Sequence, residues 1–246
     1  MSFSDDEIER YARHLVLSEV GGPGQQRLKA ARVGLIGLGG VGAPAALYLA
    51  AAGIGTLRLI DDDAVALSNL QRQIVFDSAD IGRAKVIAGA ETLAALNPHV
   101  GIEARPERLT PANAAALIEG CDVVIDGTDD FATRFAVNAA CLSCRIPLVS
   151  GALGRWSGQV GVFSGGPCYR CMVPDSPPDA ETCSRVGVIG ALAGVVGSMA
   201  ALEAIKLIAG AGQPLSGRLL LYDGLAGTAR TVRVTPDPDC PDCGHR

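Results

Sequence analysis

The stretch from Arg32 to Asp63, RVGLIGLGGVGAPAALYLAAAGIGTLRLIDDD, constrains what this chain can fold into more than any other. Val33 to Leu38 is a short apolar run of the kind that forms a buried strand. Gly37, Gly39 and Gly42 then spell G-x-G-x-x-G, with Gly40 inside the motif. The alanine-rich segment from Val41 to Ala52 reads as a helix that Gly53 and Gly55 terminate. Thr56 to Ile60 reads as a second strand, and it stops at Asp61. Strand, glycine turn, helix, strand and terminal acid follow the order that a nucleotide-binding β-α-β unit requires. Glycines let the backbone approach a phosphate closely, and the free N–H groups at the helix N-terminus face the anion. A glycine-rich packing turn would need none of these neighbours. The unit does not name its nucleotide, because Asp61 would hold the ribose of NAD or of ATP equally well.

The polar stretch from Asp61 to Gln73 has the period of neither helix nor strand. It reads as an ordered loop at the carboxyl edge of the sheet, where open α/β folds bind ligands. Gly82-Arg83-Ala84-Lys85 then opens a helix that runs to about Asn97, with Pro98 as its stop. Next come a strand from Gly101 to Arg105, a helix from Pro111 to Glu119 and a buried strand from Asp122 to Asp126. A helix from Thr133 to Cys144 and a strand from Pro147 to Gly151 complete the alternation. It predicts an α/β fold with a Rossmann-like, mainly parallel sheet flanked by helices. The rhythm then changes. Ser157 to Phe163 is a strand with no helix behind it, residues 164–185 read as a loop, and Val188 to Ala209 is a long helix. Leu219 to Tyr222 and Thr228 to Val234 form a closing antiparallel pair. At the start of the chain, Ser4-x-x-Glu7 predicts a capping box that opens a helix over 4–17. Its apolar face carries Ile8, Tyr11 and Leu15, which leaves Arg13 off that face. Gly21 to Gly24 read as a loop. With no repeat or linker, one domain over 1–246 is expected: a nucleotide-binding core over 32–151 and a second part over 152–246.

The 246 residues are 48% hydrophobic, enough for a sizeable core, and the net charge of −5 with no basic run argues against a nucleic-acid surface. The acidic N-terminus MSFSDDEIER has no apolar signal core, so a cytoplasmic location is expected. Val186 to Leu202 is uncharged, but its glycines and the Glu203 and Lys206 that follow favour a buried or interface helix. A membrane span needs ~20 apolar residues. The 8 cysteines of a cytosolic chain point to metal or catalysis before disulfides.

Cys168-x-x-Cys171 and Cys240-x-x-Cys243 are two knuckles in turn-rich segments, and four thiolates fill a tetrahedral Zn²⁺ shell. Such a closed shell leaves no place for water, so the predicted role is structural; His245 is a lesser substitute ligand. Cys141 and Cys144 share the spacing but fall on an apolar predicted helix, and with Cys121 they read as small buried hydrophobes. Cys183 lies in an acidic, exposed-looking segment with Arg185 nearby. A reactive thiolate and an incidental loop cysteine are both open there. Arg72 and Lys85 are the cations nearest the presumed phosphate end, and Asp129, just past a strand, is placed to hold Mg²⁺. The plain alternative for each is a surface charge, and for Arg13 a solvated helix charge. Taken together, a ribose acid, a glycine turn, two cations and a metal carboxylate suit a nucleoside triphosphate better than NAD.

The motifs G-L-G-G-V-G, D-D-D-x-V-x-L-S-N-L-Q-R-Q, G-x-x-K, D-G-T-D-D, C-Y-R-C and C-P-D-C-G, in that order, resemble the sulfur-carrier adenylyltransferases of the ubiquitin-activating superfamily. The likeness runs from Tyr11-x-Arg13 to Gly244 and is similar to both the molybdopterin and the thiamine branches. It implies Mg-ATP-dependent adenylation of the C-terminal glycine of a small ubiquitin-like sulfur carrier, with release of pyrophosphate. It also implies that Gly37, Gly39, Gly40, Gly42, Asp61, Asp63, Asn69, Arg72, Gln73 and Lys85 border ATP, and that Asp129 holds Mg²⁺. By the same resemblance Arg13 reaches the triphosphate of a neighbouring subunit, which makes a homodimer part of the active site. Residues 152–246 would bind the carrier, hold zinc and form the dimer, and Cys183 would join the carrier covalently in the thiamine branch. Two positions depart from the family pattern: Asp130 stands where relatives usually have Asn, and His14 where they usually have Gln.

A nicotinamide-dependent oxidoreductase would need a proton-transfer residue such as Tyr-x-x-x-Lys, and no tyrosine here has lysine four residues on. A non-catalytic dimeric binding module would be expected to lose Arg72, Lys85 or Asp129, and all three are kept. Which carrier is used, or whether a modified tRNA base takes its place, stays open at this level.

Overall fold

The computed structural model describes residues 2–176 and 187–244. The strands are β1 (Arg32–Ile36), β2 (Thr56–Ile60), β3 (Gly101–Arg105), β4 (Val123–Asp126), β5 (Leu148–Gly154), β6 (Ser157–Phe163), β7 (Arg218–Asp223) and β8 (Thr228–Arg233). They form one 8-stranded sheet in the order β3-β2-β1-β4-β5-β6-β7-β8. Neighbours from β3 to β5 pair in parallel, and those from β5 to β8 pair antiparallel. The sheet is thus mixed, its parallel half the expected Rossmann-like one.

Helices α1 (Asp5–Arg10), α2 (Ala12–Leu15), α3 (Gly21–Ala30), α4 (Gly42–Ala52), α5 (Lys85–Leu96), α6 (Ala114–Ile118), α7 (Phe131–Cys144), α8 (Tyr169–Met172) and α9 (Gly190–Ala209) complete the described elements. Because side chains alternate along a strand, each central strand feeds two cores. Val33 and Leu35 of β1 and Val123 and Ile125 of β4 face the core that α4, α5 and α9 close. Ile36 and Val124 face the other, closed by α6 and α7. α9 is long and apolar enough to cross a membrane, and here it lies against α3, α4, β5 and β6. Its Leu192, Ala193, Val196, Ala200 and Ala201 are buried, as expected of a core helix.

The N-terminus differs from the sequence reading. The capping box forms, with Glu7 N donating to Ser4 Oγ and Ser4 N to the Glu7 carboxylate. That box turns Glu7 inward to Lys29 at 2.7 Å, so Glu7 is buried and Ile8 is 47% exposed. An ion pair, not an apolar stripe, sets the helix face. The helix also breaks at Tyr11, whose φ of −97° and ψ of 11° separate α1 from α2. Gly21 to Gly24 open α3 rather than forming a loop: Leu28 is buried in the core and Arg27 donates to the Ala209 carbonyl, so contacts distant in sequence hold α3. The helix expected from Pro111 shortens to α6, because Asn113 caps the turn before it by accepting from Thr110 N at 2.7 Å. Cys141 and Cys121 are buried as expected, whereas Cys144, at the last position of α7, is exposed. Burial pushes the Cys121 thiol up to about 11.

Tyr11 seats the N-terminal segment on the core. Its ring covers Gly53, where a Cβ would lie 2.4 Å from Tyr11 Cζ, and Gly53 ends α4 at a φ of 78°. The fully buried Asn97 donates to both Tyr11 Oη at 2.9 Å and the Ala50 carbonyl at 2.7 Å. Asn97→Ala strands two buried groups, and each unsatisfied group costs ~1–3 kcal/mol. Urea unfolding should show a loss of about 2–4 kcal/mol.

Candidate nucleotide site and cysteine cluster

Strand order reverses between β1 and β4, and their carboxyl ends open into a cleft of about 440 Å³. That size and place are those of a ligand site in an open α/β fold. After β1 the chain turns at Gly37, whose φ of 82° favours glycine and whose N–H donates to the Ile60 carbonyl at 2.8 Å. α4 starts so close to this turn that a Cβ on Gly42 would fall 1.9 Å from the Gly37 carbonyl oxygen. Gly37, Gly39 and Gly40 line the cleft, and Gly42 supports the turn from behind.

Asp61 follows β2 and accepts from Leu38 N at 2.6 Å and from Asp63 N at 2.9 Å. Lys85, at the first position of α5, stands 2.6 Å from Asp63 Oδ2 and 3.8 Å from Asp61 Oδ2. Burial pushes the Asp61 carboxyl above its ordinary value, with Lys85 and the two backbone N–H groups pulling the other way. The loop after Asp63 carries Asn69, whose carboxamide accepts from Ala66 N at 3.0 Å, and Arg72, half-buried and donating to the Ser68 carbonyl at 2.9 Å. Gln73 is buried, and its Oε1 is one of two buried side-chain oxygens without a hydrogen-bond partner among the described residues. A missing partner at a cleft wall is what a bound polar ligand supplies. Asp63, Asn69, Arg72, Gln73, Lys85 and Asp129 all line the cleft with Asp61, and Asp129 is exposed at its edge.

Asp130 accepts from Thr133 N at 2.8 Å and caps α7. Asn caps a helix as well as Asp does, so the departure from relatives keeps the local geometry. His14 Nδ1 pairs with Gln25 Oε1 at 2.9 Å. Arg13 is exposed and does not line the cleft of its own chain. Cys183 and His245 lie outside the described residues.

Arg134, on α7, escapes a sequence reading built on strand ends. It is 5% exposed and lines the cleft. It donates to the carbonyls of Thr128 and Gly151, reaches Ser150 Oγ at 3.3 Å, and stands over the Tyr169 ring at 5.9 Å. The second unpartnered oxygen, Asp126 Oδ2, lies 4.0 Å from Arg134 Nη1, while Oδ1 accepts from Thr128 N and Oγ1. The single charge in an otherwise uncharged helix was the available signal.

Cys168, Cys171, Cys240 and Cys243 meet as the spacing predicts, their sulfurs all within 4.8 Å of one another. Cys168 and Cys240 approach to 3.6 Å and Cys171 and Cys243 to 3.3 Å, far beyond a disulfide's ~2.05 Å. A tetrahedron with Zn–S near 2.3 Å spaces its sulfurs by about 3.8 Å, so the donor set fits Zn²⁺. Backbone N–H groups of Asp242 and Cys243 bond the Cys240 sulfur and, against its burial, hold that thiol below its ordinary value. Such donors suit a thiolate ligand.

The model of the ThiF family matches residues 11–242. The chain belongs to the ThiF family. It is 44% identical to the sulfur carrier protein adenylyltransferase of Thermus thermophilus, over 99% of this chain and 93% of that protein. It is also 44% identical to the molybdopterin-synthase adenylyltransferase of Escherichia coli, with 98% of each chain covered. Among solved structures, E. coli MccB with MccA-N7isoASN superposes with a TM-score of 0.86 at 21% identity, covering 99% of this chain and 76% of that one, a likeness of fold. The family match spans the cleft and the first cysteine knuckle of this ThiF-family chain, and ends one residue before Cys243.

The raised Asp61 carboxyl fixes a pH signature. A carboxyl whose folded pKa lies above its unfolded one loses stability as pH rises through the folded value. Relative to Asp61→Asn, the wild type should therefore lose stability as pH rises from the ordinary carboxylate range through the raised Asp61 value. Thermal unfolding of both proteins as a function of pH checks it; a wild type that gains stability over the variant as pH rises would contradict the assignment.

Proposed function

We infer that this chain uses ATP to adenylate the C-terminal glycine carboxylate of a small ubiquitin-like sulfur carrier, releasing pyrophosphate. One observation carries the reading: Asp61, Arg72, Lys85 and Asp129 converge on one cleft around a glycine turn. The names of the two relatives, one acting on a sulfur carrier protein and one on molybdopterin synthase, support the same chemistry. Both the molybdopterin and the thiamine pathways stay within the proposal. No observation favours nicotinamide chemistry or a non-catalytic binding role.

In this reading Asp61 and Asp63 hold the ribose, with Asn69 and Gln73 beside the sugar and phosphates. The turn from Gly37 to Gly42 brings backbone N–H groups against the triphosphate. The carrier carboxylate attacks the α-phosphate and pyrophosphate leaves. The attacking group is already ionised, so no general base is needed. Negative charge grows on the phosphate oxygens, and Arg72 and Lys85 stabilise it from a partly dry cleft, where such contacts are strongest. Lys85 meets that charge by trading Asp63 for phosphate. Asp129 would hold Mg²⁺, which would neutralise the leaving pyrophosphate. The cysteine cluster would hold a structural Zn²⁺ that clips the C-terminal tail to α8, which carries Cys171 and has Cys168 as its N-cap.

A second cleft, of about 710 Å³, adjoins the first and shares Ala152, Leu153 and Gln159 with it. Its walls are β5, β6, β7 and β8, a path for an extended carrier tail to reach the α-phosphate. This supports residues 152–246 as the carrier-binding part; Cys183 is proposed, on the family resemblance alone, as the attachment point in a thiamine-type pathway. We propose a cytoplasmic homodimer. Tyr48 on α4 and Leu202 on α9 expose large apolar side chains at 58% and 55% on two helices packed together. Arg13, exposed and outside its own cleft, would serve the partner's triphosphate.

Arg72→Ala and Lys85→Ala should each lower carrier-dependent ATP–pyrophosphate exchange ~10²–10³-fold, the usual cost of one transition-state donor. Exchange near wild type in both, with the fold intact by circular dichroism, would refute their roles.

Mixing Arg13→Ala chains with Lys85→Ala chains should restore part of that exchange, because each hybrid dimer holds one intact site and one doubly defective site. No rescue, with subunit exchange shown independently, would place Arg13 outside the neighbour's site.

A further inference from the structure

α7 runs from the cleft to the cysteine cluster. Its cap, Asp130, directly follows Asp129, and one face of the helix carries Phe131, Arg134, Phe135 and Asn138 at the i, i+3, i+4, i+7 spacing that aligns side chains. Arg134 grips the cleft end, holding the Thr128 and Gly151 carbonyls at once. Asn138, at mid-helix, grips the cluster. It is 1% exposed, and its carboxamide is divided between the two cysteine knuckles. Its Oδ1 accepts from the backbone N–H of Tyr169, inside Cys168-x-x-Cys171, at 2.9 Å. Its Nδ2 donates to Asp242, inside Cys240-x-x-Cys243, at 2.7 Å. Tyr169 then returns to the cleft, with its ring under the Arg134 guanidinium.

A buried carboxamide with both ends spent on the two halves of a cluster joins them only when both halves are in place. Four residues of helix, about 6 Å, separate Asn138 from Arg134. Any shift of α7 at the cluster is passed along this rigid element to the Thr128 carbonyl, and the next residue is Asp129. We propose that Asn138 and Arg134 are positioning residues that couple the cysteine cluster to the loop bearing Asp129, so that the closed cluster tunes the metal affinity of the nucleotide site. This rests on the reading of Asp129 as the Mg²⁺ carboxylate and of the cluster as a Zn²⁺ shell, and it adds a working link between two sites otherwise read as independent.

The test reads Mg²⁺-dependent ATP binding by calorimetry, together with zinc content by elemental analysis and Tm. Asn138→Asp keeps the acceptor for Tyr169 N but sets a carboxylate against Asp242. It should raise the Mg²⁺ needed for half-maximal ATP binding on the order of tenfold, the usual effect of disturbing a residue behind a metal site. Adding Asp242→Asn reverses the donor and acceptor of the same hydrogen bond and should bring the Mg²⁺ requirement back to near wild type. Asp129→Ala is the reference. If it shifts the Mg²⁺ requirement and Asn138→Asp does not, whether or not zinc is retained, the coupling is overturned and the reading of Asp129 stands. If Asp129→Ala shifts nothing, both fall together. Should Asn138→Asp not fold, Arg134→Lys tests the same link. Lysine keeps the charge near Asp126 but cannot span the Thr128 and Gly151 carbonyls, so the Mg²⁺ requirement should rise similarly, and a wild-type requirement overturns the coupling.

Discussion

The hydrogen bond from Leu38 N to the Asp61 carboxylate, 2.6 Å long, joins the ends of two adjacent parallel strands, and the nucleotide site is built outward from it. It fixes the exit of β1 against the exit of β2. Gly37 N, bonded to the Ile60 carbonyl, closes the same junction from the other side. With both chains pinned, the turn has little room, and that is why Gly42 tolerates no Cβ where α4 begins. The carboxylate is also held partly dehydrated, with Lys85 as its counter-charge. The site therefore has a fixed acid, a fixed cation and a fixed turn before any ligand arrives, and such preorganisation lets donors act without reorganisation cost.

The same junction explains what was legible in the sequence. Where geometry demands a particular residue type, the sequence shows it. Glycines at a close approach, an acid at a strand end and paired C-x-x-C knuckles are recognisable because few other residues can do those jobs. The parallel half of the sheet follows from apolar runs alternating with helices, and β2, β3 and β6 fall where the residues place them. The cleft gathers Asp61, Asp63, Asn69, Arg72, Gln73, Lys85 and Asp129, which sequence spacing alone could only string along the chain.

What the residues hid has a common cause: it depends on partners distant in sequence. Glu7 reads as a surface capping charge locally, and Lys29, brought up by α3, is the partner that buries it. α3 itself has a weak local case, three glycines and a proline in its first four residues, and is held by Arg27 reaching the end of α9. Arg134 and Asn138 look like ordinary polar positions on α7. Their importance rests on carbonyls at Thr128 and Gly151 and on two knuckles some 70 residues apart, the 72 between Cys168 and Cys240. Buried polar residues of this kind carry little period and no motif, so pattern reading passes over them.

The two halves of the sheet divide the work by their physics. Parallel strands end together at one edge and present turns, helix N-termini and acids to a small ligand. Antiparallel strands leave an edge, and β8 is exposed along its whole length. An exposed edge invites another chain, which is a hazard unless a partner is meant to use it. A protein that must bring a nucleotide and a polypeptide tail to one point needs both kinds of surface on one sheet. β5 is the strand that makes this possible, since it pairs in parallel with β4 and antiparallel with β6 along its full length. Its outer residues Ala152 and Leu153 belong to both clefts. In the proposed reading the two substrates meet where the sheet changes direction, and Arg134, bonded to the Gly151 carbonyl on that strand, holds the junction in place.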